Sequence, residues 1–212
     1  HGSRISLVVG LVSVTISLVI GGLCGALAGY YGGWVDNLIM RLVDVFYCLP
    51  SMPIMIILGA MMDAMRMDTY VRLIVMMAAL GLMGWAGVAR LVRGQILSIK
   101  TNEYVLAARA LGAHPGRIIR RHILPNCMSV IIISVALQIP SAIFTESFLS
   151  FIGLGVQAPM PSLGSLANAA RGGMQSYPYK MIFPAIGICL IVLSFNLLGD
   201  GLRDAFDPKL RR

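Results

Sequence analysis

Long apolar segments alternate along this chain with shorter polar ones. A membrane-spanning helix needs about 20 predominantly apolar residues, within a range of roughly 17–25. Five segments reach that length, at about residues 5–29, 38–62, 73–89, 125–145 and 181–199. The pattern therefore predicts an all-α, polytopic membrane helix bundle, with residues 1–212 forming a single transmembrane domain.

The composition favours a membrane protein over a soluble one. Of the 212 residues, 58% are hydrophobic and 12% are charged, whereas soluble domains carry about 25% charged residues. The net charge of +8 could indicate a nucleic-acid partner, but most of the excess lies in one loop and the C-terminal tail, beside apolar segments. Charge placed in that way signals membrane topology, so no nucleic-acid partner is expected. The four cysteines have no metal-ligand spacing and are interpreted as packing residues.

Two predicted spans carry regularly spaced glycines. The spacing is four residues in the first span and three in the third: Gly21, Gly25, Gly29, Gly81, Gly84 and Gly87. Small residues on one helix face let two membrane helices approach closely. Glycine is also more frequent in membrane helices in general, so a packing role and a simple compositional bias are both open interpretations.

The positions of Lys and Arg predict which side of the membrane each loop occupies. Seven Lys and Arg lie between residues 90 and 121, against one carboxylate, Glu103. Because cytoplasmic loops carry the excess of Lys and Arg, this loop is assigned to the cytoplasm. Twelve Lys and Arg then lie inside and five outside: Arg4, Arg66, Arg72, Arg171 and Lys180. Residues 147–180 become an outer loop with short helices, and residues 200–212 a cytoplasmic tail. Since the N-terminus then lies outside without a cleavable signal, we expect an earlier span, giving six in the parent protein.

Residues 99–125, between the third and fourth spans, have helix signals of their own. Asn102 suits an N-cap. Gly112 suits the position after a helix end, Pro115 the first position of a second helix, and Pro125 the start of the fourth span. Four residues at helical spacing form a stripe: Tyr104, Ala107, Ala108 and Leu111. The loop is therefore predicted to be two short helices joined by a glycine bend.

This four-residue stripe has two interpretations. Small residues beside an aromatic ring and a leucine suit a knob that fits a groove on another protein. An amphipathic helix resting on lipid headgroups is the alternative, although it would favour bulkier apolar residues than Ala107 and Ala108. The arginines of the loop could contact a partner or could only set the topology: Arg109, Arg117, Arg120 and Arg121.

The same stretch resembles the EAA loop of ABC-importer permeases, whose pattern is E-A-A, three residues, Gly, nine residues and then I-x-L-P. The matching positions are Ala107, Ala108, Gly112, Leu124 and Pro125. Leu106 stands where the family often has Glu, and His122 stands where it has Ile. An ion pair from position 106 to an ATPase is therefore not carried over.

Other stretches extend the resemblance over nearly the whole chain, to the C-type subunit of the dipeptide/oligopeptide/nickel permease family. They are HGSRISL at the start, GYYGGWVDNLIMRLVDV (29–45), ARLVRGQILS (89–98), ESFLSFIGLG (146–155) and FNLLGDGLRDAFDPK (195–209). One departure is Leu163, where the family usually has Trp, and it bears on how the outer loop packs.

The resemblance implies a permease subunit of an ATP-driven importer in the inner membrane of a prokaryote. Its substrate would be a di- or oligopeptide, with nickel or another small solute as the alternative within the family. The chain has no GxxxxGK[ST] phosphate loop, so ATP and Mg²⁺ would bind to separate subunits and this chain would need no cofactor. The implied partners are two cytoplasmic ATPase subunits, a second homologous permease subunit, an extracytoplasmic substrate-binding protein and membrane lipid.

The resemblance also implies a set of residues that dock on the ATPase: Tyr104, Ala107, Ala108, Arg109, Leu111, Gly112 and Pro125. Polar residues in or near the spans are candidates for the translocation path: Gln138, Glu146 and Asn196. Asp44 lies three residues from Arg41, a helical pairing distance, and is assigned a structural role. No paired carboxylates, Ser/His/Asp set or metal ligands stand out, so no enzymatic activity is expected. A secondary transporter would need its own coupling-ion site and often has internal repeats, and neither is apparent.

Overall fold

The computed structural model describes residues 2–157 and 159–206. Within these ranges the chain forms nine α-helices and one π-helical turn, and it has no strand. The α-helices are α1 Gly2–Tyr31, α2 Gly33–Cys48, α3 Ser51–Ala64, α4 Thr69–Ile99, α5 Glu103–Ala110, α6 Pro115–Ile118, α7 Leu124–Phe151, α8 Leu163–Arg171 and α9 Tyr179–Phe206. The all-α prediction is confirmed. The last part of the predicted tail, residues 207–212, lies outside the described residues.

Within the described ranges, four continuous helices are long and apolar enough to cross a membrane: α1, α4, the joined helix Pro115–Phe151 that contains α6 and α7, and α9. The pair α2 and α3 passes the same test only when its members are counted together, and they are bent by 73° relative to each other. The polytopic helix bundle is thus confirmed, and its spans number five when the bent pair counts as one. The end of the bundle that carries α5 and α6 is called the basic end below.

The second span is not the single helix predicted over residues 38–62. Helix α2 ends at Cys48, and Leu49 is extended, with φ −78° and ψ 128°. The cause is Pro50, because the residue before a proline is disfavoured in the α-helical region. Pro50 also lacks the N–H that would continue the helix. Hydrophobicity continues across this break, which is why the apolar pattern alone missed it.

The third span is longer than predicted. Helix α4 continues to Ile99, past Arg90 and Arg93, where the apolar segment stops. Both arginines find carboxylate partners on α2: the Arg90 guanidinium donates to Asp44 at 2.8 Å, and Arg93 Nη2 donates to Asp36 at 2.6 Å. Because their charges are paired, both arginines can lie within the helix where it continues beyond the apolar segment.

The fourth span does not begin at Pro125. The helix starts at Pro115 and passes through the π-helical turn Ile119–Ile123, where the Leu124 N–H donates to the Ile119 carbonyl five residues before it. A proline inside a helix clashes with the carbonyl four residues earlier. The wider π turn before Pro125 relieves that clash, so the second loop helix and the fourth span are one continuous helix.

Helices α1 and α4 form the main packed pair of the bundle. A Cβ added at Gly25 would stand 2.5 Å from the Ala89 carbonyl oxygen, and one added at Gly29 would stand 2.9 Å from Ile96 Cβ. Gly21 likewise packs against the α4 backbone. The packing interpretation of the first glycine series therefore holds, because these residues let the two backbones approach closely.

Helix α8 lies within the predicted outer loop 147–180, at the end of the bundle opposite the basic end. Ser162 caps α8 through the reciprocal hydrogen bonds of a capping box. Leu163 is buried, and Gly164 packs directly against the Ser147 backbone. Leu163 therefore fills its packing position without the Trp of the resembled family, and α8 is held against α7.

Candidate functional site

Helix α5 packs into the bundle through one buried side chain. Of the eight residues of α5, Val105 alone is buried, and it is fully inaccessible. It packs in a hydrophobic cluster with Ile99 at the end of α4, Ile118 in α6 and Ile123 in the π-helical turn. The inner face of α5 is therefore fixed to both long helices that flank the loop.

The predicted stripe, called the α5 stripe from here on, consists of Tyr104, Ala107, Ala108 and Leu111 and lies on the surface. Tyr104 and Ala107 are exposed, Ala108 is half-buried, and the Leu111 side chain is 87% exposed. An isolated leucine exposed to this degree at a helix end has little to stabilise it within its own chain. The other residues assigned to docking by resemblance are also exposed: Arg109, Gly112 and Pro125.

The bend after α5 has the geometry that its glycine predicts. Gly112 has φ +75°, a left-handed conformation that favours glycine over other residues. The Gly112 N–H donates to the Arg109 carbonyl at 3.0 Å, and the Ala113 N–H donates to the Ala108 carbonyl at 3.1 Å. These two bonds form a Schellman motif, so the direction in which α5 leaves the bundle is set by its own backbone.

The N-terminal caps of both loop helices differ from the prediction. Asn102 occupies the N-cap position of α5, but its side chain does not cap the helix. Instead its amide lies 3.5 Å from the Tyr104 hydroxyl. The cap missed from the sequence is His114, whose Nδ1 accepts from the Gly116 N–H at 3.3 Å at the start of α6. Its only sequence signal was its place directly before Pro115.

Basic residues of the basic end are paired within the chain. Lys100 Nζ donates to the Gly29 carbonyl at 2.9 Å, and the Arg109 guanidinium lies 5.7 Å from the centre of the Tyr30 ring. Together with the Arg93–Asp36 ion pair, these contacts hold α4 and α5 to the connection between α1 and α2.

The structural role assigned to Asp44 is realised with a different partner. Asp44 pairs with Arg90 at 2.8 Å and not with Arg41, its neighbour in sequence. The Arg90 guanidinium also stacks 4.2 Å from the centre of the Tyr47 ring. Arg90 lies 46 residues away from Asp44, so no local pattern could have indicated the pair.

A cavity of about 450 Å³ lies between α1, α2, α3, α4 and α7, around the break at Leu49. Its polar lining consists of six hydroxyl residues and one amide: Ser13, Ser17, Tyr47, Ser51, Ser141, Thr145 and Gln138. Methionines, Phe46, Gly84 and Gly87 supply most of the rest. Among the described residues that line it, none is Asp, Glu, Lys or Arg.

The three candidates for the translocation path separate in the structure. Gln138 lines the cavity, whereas Glu146 and Asn196 are not among its lining residues. Glu146 is fully buried and accepts a hydrogen bond from the Ser150 hydroxyl at 2.8 Å. The Ser150 hydroxyl in turn accepts from the Val156 N–H at 2.9 Å. Glu146 therefore holds the turn that follows α7, while Asn196 lies half-buried on α9.

A cluster of polar side chains that the sequence did not indicate lies at the end of the bundle opposite the basic end. Arg72 was assigned only an outside topology charge, but its side chain is 4% exposed. Its guanidinium donates to Asp63 at 3.1 Å and to the Gly59 carbonyl at 3.4 Å. The Gln157 amide also donates to Asp63, at 3.2 Å. The cluster ties the end of α3 and the start of α4 to the outer loop.

The chain matches a known protein family over most of its length. The family described as "Binding-protein-dependent transport system inner membrane component" matches residues 21–212. The chain belongs to this family. It is a multi-pass membrane protein of a family whose members are inner-membrane components of transport systems.

Curated relatives of this permease-family chain match over its whole length. It is 47% identical over 213 residues to the dipeptide transport system permease protein DppC of Bacillus subtilis, covering 100% of this chain and 64% of that protein. It is 41% identical over 211 residues to the oligopeptide transport system permease protein OppC of the same organism, covering 100% of this chain and 67% of that protein. The chain thus spans about two thirds of the length of these relatives.

Solved structures share the fold of this permease-family chain. An inward-facing MetNI methionine ABC transporter aligns with a TM-score of 0.70 at 22% identity, covering 97% of this chain and 95% of that chain. An amino acid ABC transporter with histidines aligns with a TM-score of 0.68 at 19% identity, covering 94% and 89%. At this identity the likeness establishes the helical arrangement alone.

Proposed function

We propose that this chain is the membrane-spanning permease subunit of an ATP-driven importer of dipeptides or oligopeptides. The observation that carries the proposal is α5, which is anchored by Val105 on one side and presents the α5 stripe on another. Support for the substrate comes from the curated relatives, whose names refer to dipeptide and oligopeptide transport.

The subunit works within a larger complex. Two cytoplasmic ATPase subunits bind and hydrolyse ATP with Mg²⁺, so this chain itself needs no cofactor. A second homologous permease subunit completes the membrane passage, and an extracytoplasmic binding protein delivers the peptide. The docking contact on one ATPase is the α5 stripe together with the exposed residues around the bend: Arg109, Gly112 and Pro125.

Movement of the ATPase reaches the membrane through packed helices. Val105 joins α5 to Ile99 and Ile96 of α4 within one hydrophobic cluster. Helix α4 is locked to α1 along the glycine series, where Gly25 lies against the Ala89 backbone. A push on α5 therefore displaces α4 and α1 as a unit. Because both helices line the cavity, their displacement changes its shape.

The test replaces Ala107, which is exposed and belongs to the α5 stripe. Ala107→Trp adds a bulky ring at the proposed contact, and Ala107→Ser is the small control. Overpacking of a tight contact costs about 1–3 kcal/mol, and about 1.4 kcal/mol corresponds to a tenfold change in affinity. We expect Ala107→Trp to insert normally, to copurify with about tenfold less ATPase and to lose peptide uptake, while Ala107→Ser keeps both.

The same variant distinguishes the lipid alternative. If α5 rests on headgroups, the new tryptophan will be quenched by brominated lipid, and the ATPase will copurify in normal amounts. Normal recruitment together with normal uptake would show that Ala107 lies outside any docking contact. Tryptophan quenching, ATPase recruitment and peptide uptake are all measured on the complex assembled with its native subunits.

A further inference from the structure

The cavity around the break between α2 and α3 combines polar groups with an absence of charge. Its described lining contains hydroxyls and the Gln138 amide but no ionisable carboxylate, lysine or arginine. The Ser13 side chain is 2% exposed, and within the described chain its hydroxyl oxygen has no hydrogen-bond partner. Since buried polar groups are nearly always hydrogen-bonded, this unpartnered hydroxyl in the cavity wall favours a polar occupant over an apolar one.

The break adds backbone groups to this lining. Helix α3 begins at Ser51, and the N–H groups of its first turn have no partner within the helix. Pro53 has no N–H, so Ser51 and Met52 carry the free donors, and both residues line the cavity. The cavity therefore offers hydrogen-bond donors and acceptors of the kind that pair with peptide groups.

The missing charge has a consequence for selectivity. At membrane depth the effective dielectric constant is low, so a fixed charge would strongly attract or exclude substrates by their own charge. A neutral polar lining makes hydrogen bonds of moderate strength with any peptide group and releases them again. Such a lining suits a passage that admits peptides with different side chains.

We infer that this cavity is a transient binding subsite for the main-chain amide groups of a transported peptide, and that it does not discriminate side-chain charge. The inference rests on the proposed function, because it names how that substrate is contacted. Gln138 supplies an amide contact to the peptide main chain, and the Ser13 hydroxyl is a further polar group of the same lining.

The test converts an amide to a carboxylate at two positions. Gln138→Glu places a charge in the cavity, and Asn196→Asp makes the same chemical change at a half-buried position of α9 outside it. The complete transporter in proteoliposomes is given Ala-Ala-Ala, Ala-Lys-Ala or Ala-Glu-Ala, and each uptake rate is divided by the wild-type rate for that peptide. We expect Gln138→Glu to lower the ratio for Ala-Glu-Ala about tenfold below that for Ala-Ala-Ala, because like charges repel at low dielectric. Asn196→Asp should leave the three ratios equal.

The outcomes separate the subsite from the proposed function. If Gln138→Glu lowers all three ratios equally, or if Asn196→Asp produces the same skew, the subsite is overturned while peptide import stands. If wild-type transporter with active ATPase imports none of the three peptides, the proposed function itself is overturned.

Discussion

Gly25 on α1 provides a direct test of how tightly the main helix pair is packed. In Gly25→Ala the new Cβ would stand 2.5 Å from the Ala89 carbonyl oxygen and 2.9 Å from Val92 Cβ. A backbone carbonyl within a helix cannot move aside without displacing the helix. Gly22, three residues earlier on the same helix, has no atom within 4 Å of an added Cβ, so Gly22→Ala is a matched control.

The two substitutions should have opposite effects on stability. Forcing a methyl group into a packed contact costs about 1–3 kcal/mol. At an open helical position, replacing glycine by alanine gains up to about 1 kcal/mol through helix propensity. Because both changes replace glycine by alanine within α1, the propensity gain is common to them, and Gly25→Ala should be less stable than Gly22→Ala by roughly 1–3 kcal/mol. For a protein of this size about 1 kcal/mol shifts the unfolding midpoint by about 2–4 °C, which gives a difference of roughly 2–12 °C.

The measurement is the thermal unfolding midpoint of the purified permease in one detergent, followed by the loss of monodisperse protein on heating. Wild type should lie between the two variants. Equal midpoints for Gly25→Ala and Gly22→Ala would show that α1 and α4 are not packed at backbone contact. The proposal that a push on α5 displaces α4 and α1 as a unit would then also be refuted.

Two further stability predictions follow from the buried polar groups, both measured by the same unfolding assay. Glu146→Gln keeps an acceptor oxygen for the Ser150 hydroxyl, so its unfolding midpoint should lie near that of wild type. Glu146→Leu leaves that hydroxyl without its acceptor and should cost about 1–3 kcal/mol of stability. Equal loss of stability in both variants would contradict this role of Glu146. Asp63→Ala leaves the buried Arg72 guanidinium with the Gly59 carbonyl as its remaining described partner and should lower the unfolding midpoint, because a buried charge that loses its partner is destabilising. Adding Arg72→Met removes the unpaired charge and should recover part of the loss, and a double variant less stable than Asp63→Ala would refute the pairing.

Features governed by local chemistry could be predicted from the sequence. The bend after α5 follows from Gly112, because a left-handed residue at that position closes a Schellman motif whatever the rest of the fold does. Pro115 starts a helix for a similarly local reason. The glycine series on α1 was visible as a pattern, but only the structure decides that Gly25 faces α4 while Gly22 faces open space.

Pairings between distant segments could not be predicted. The sequence neighbour Arg41 is a plausible partner for Asp44, yet the fold brings Arg90 there from 46 residues away. The Arg93–Asp36 pair spans 57 residues. Which of several charges meet depends on how α2 crosses α4, and apolar packing of Val43 with Trp85 and Ala89 contributes to that crossing.

The sequence contains a signal for the break at Leu49, but the hydropathy of the same segment points to an unbroken span. Pro50 and Pro53 stand in the middle of an apolar run, where hydropathy indicates one continuous span. Backbone that leaves helical geometry at membrane depth must be covered by protein or face water. Two prolines within one span therefore predict more than a bend, since the freed backbone groups require a polar or covered space beside them. The cavity lined by Ser51 and Gln138 is that space, so the substrate-contact subsite and the interrupted span have one cause in the sequence.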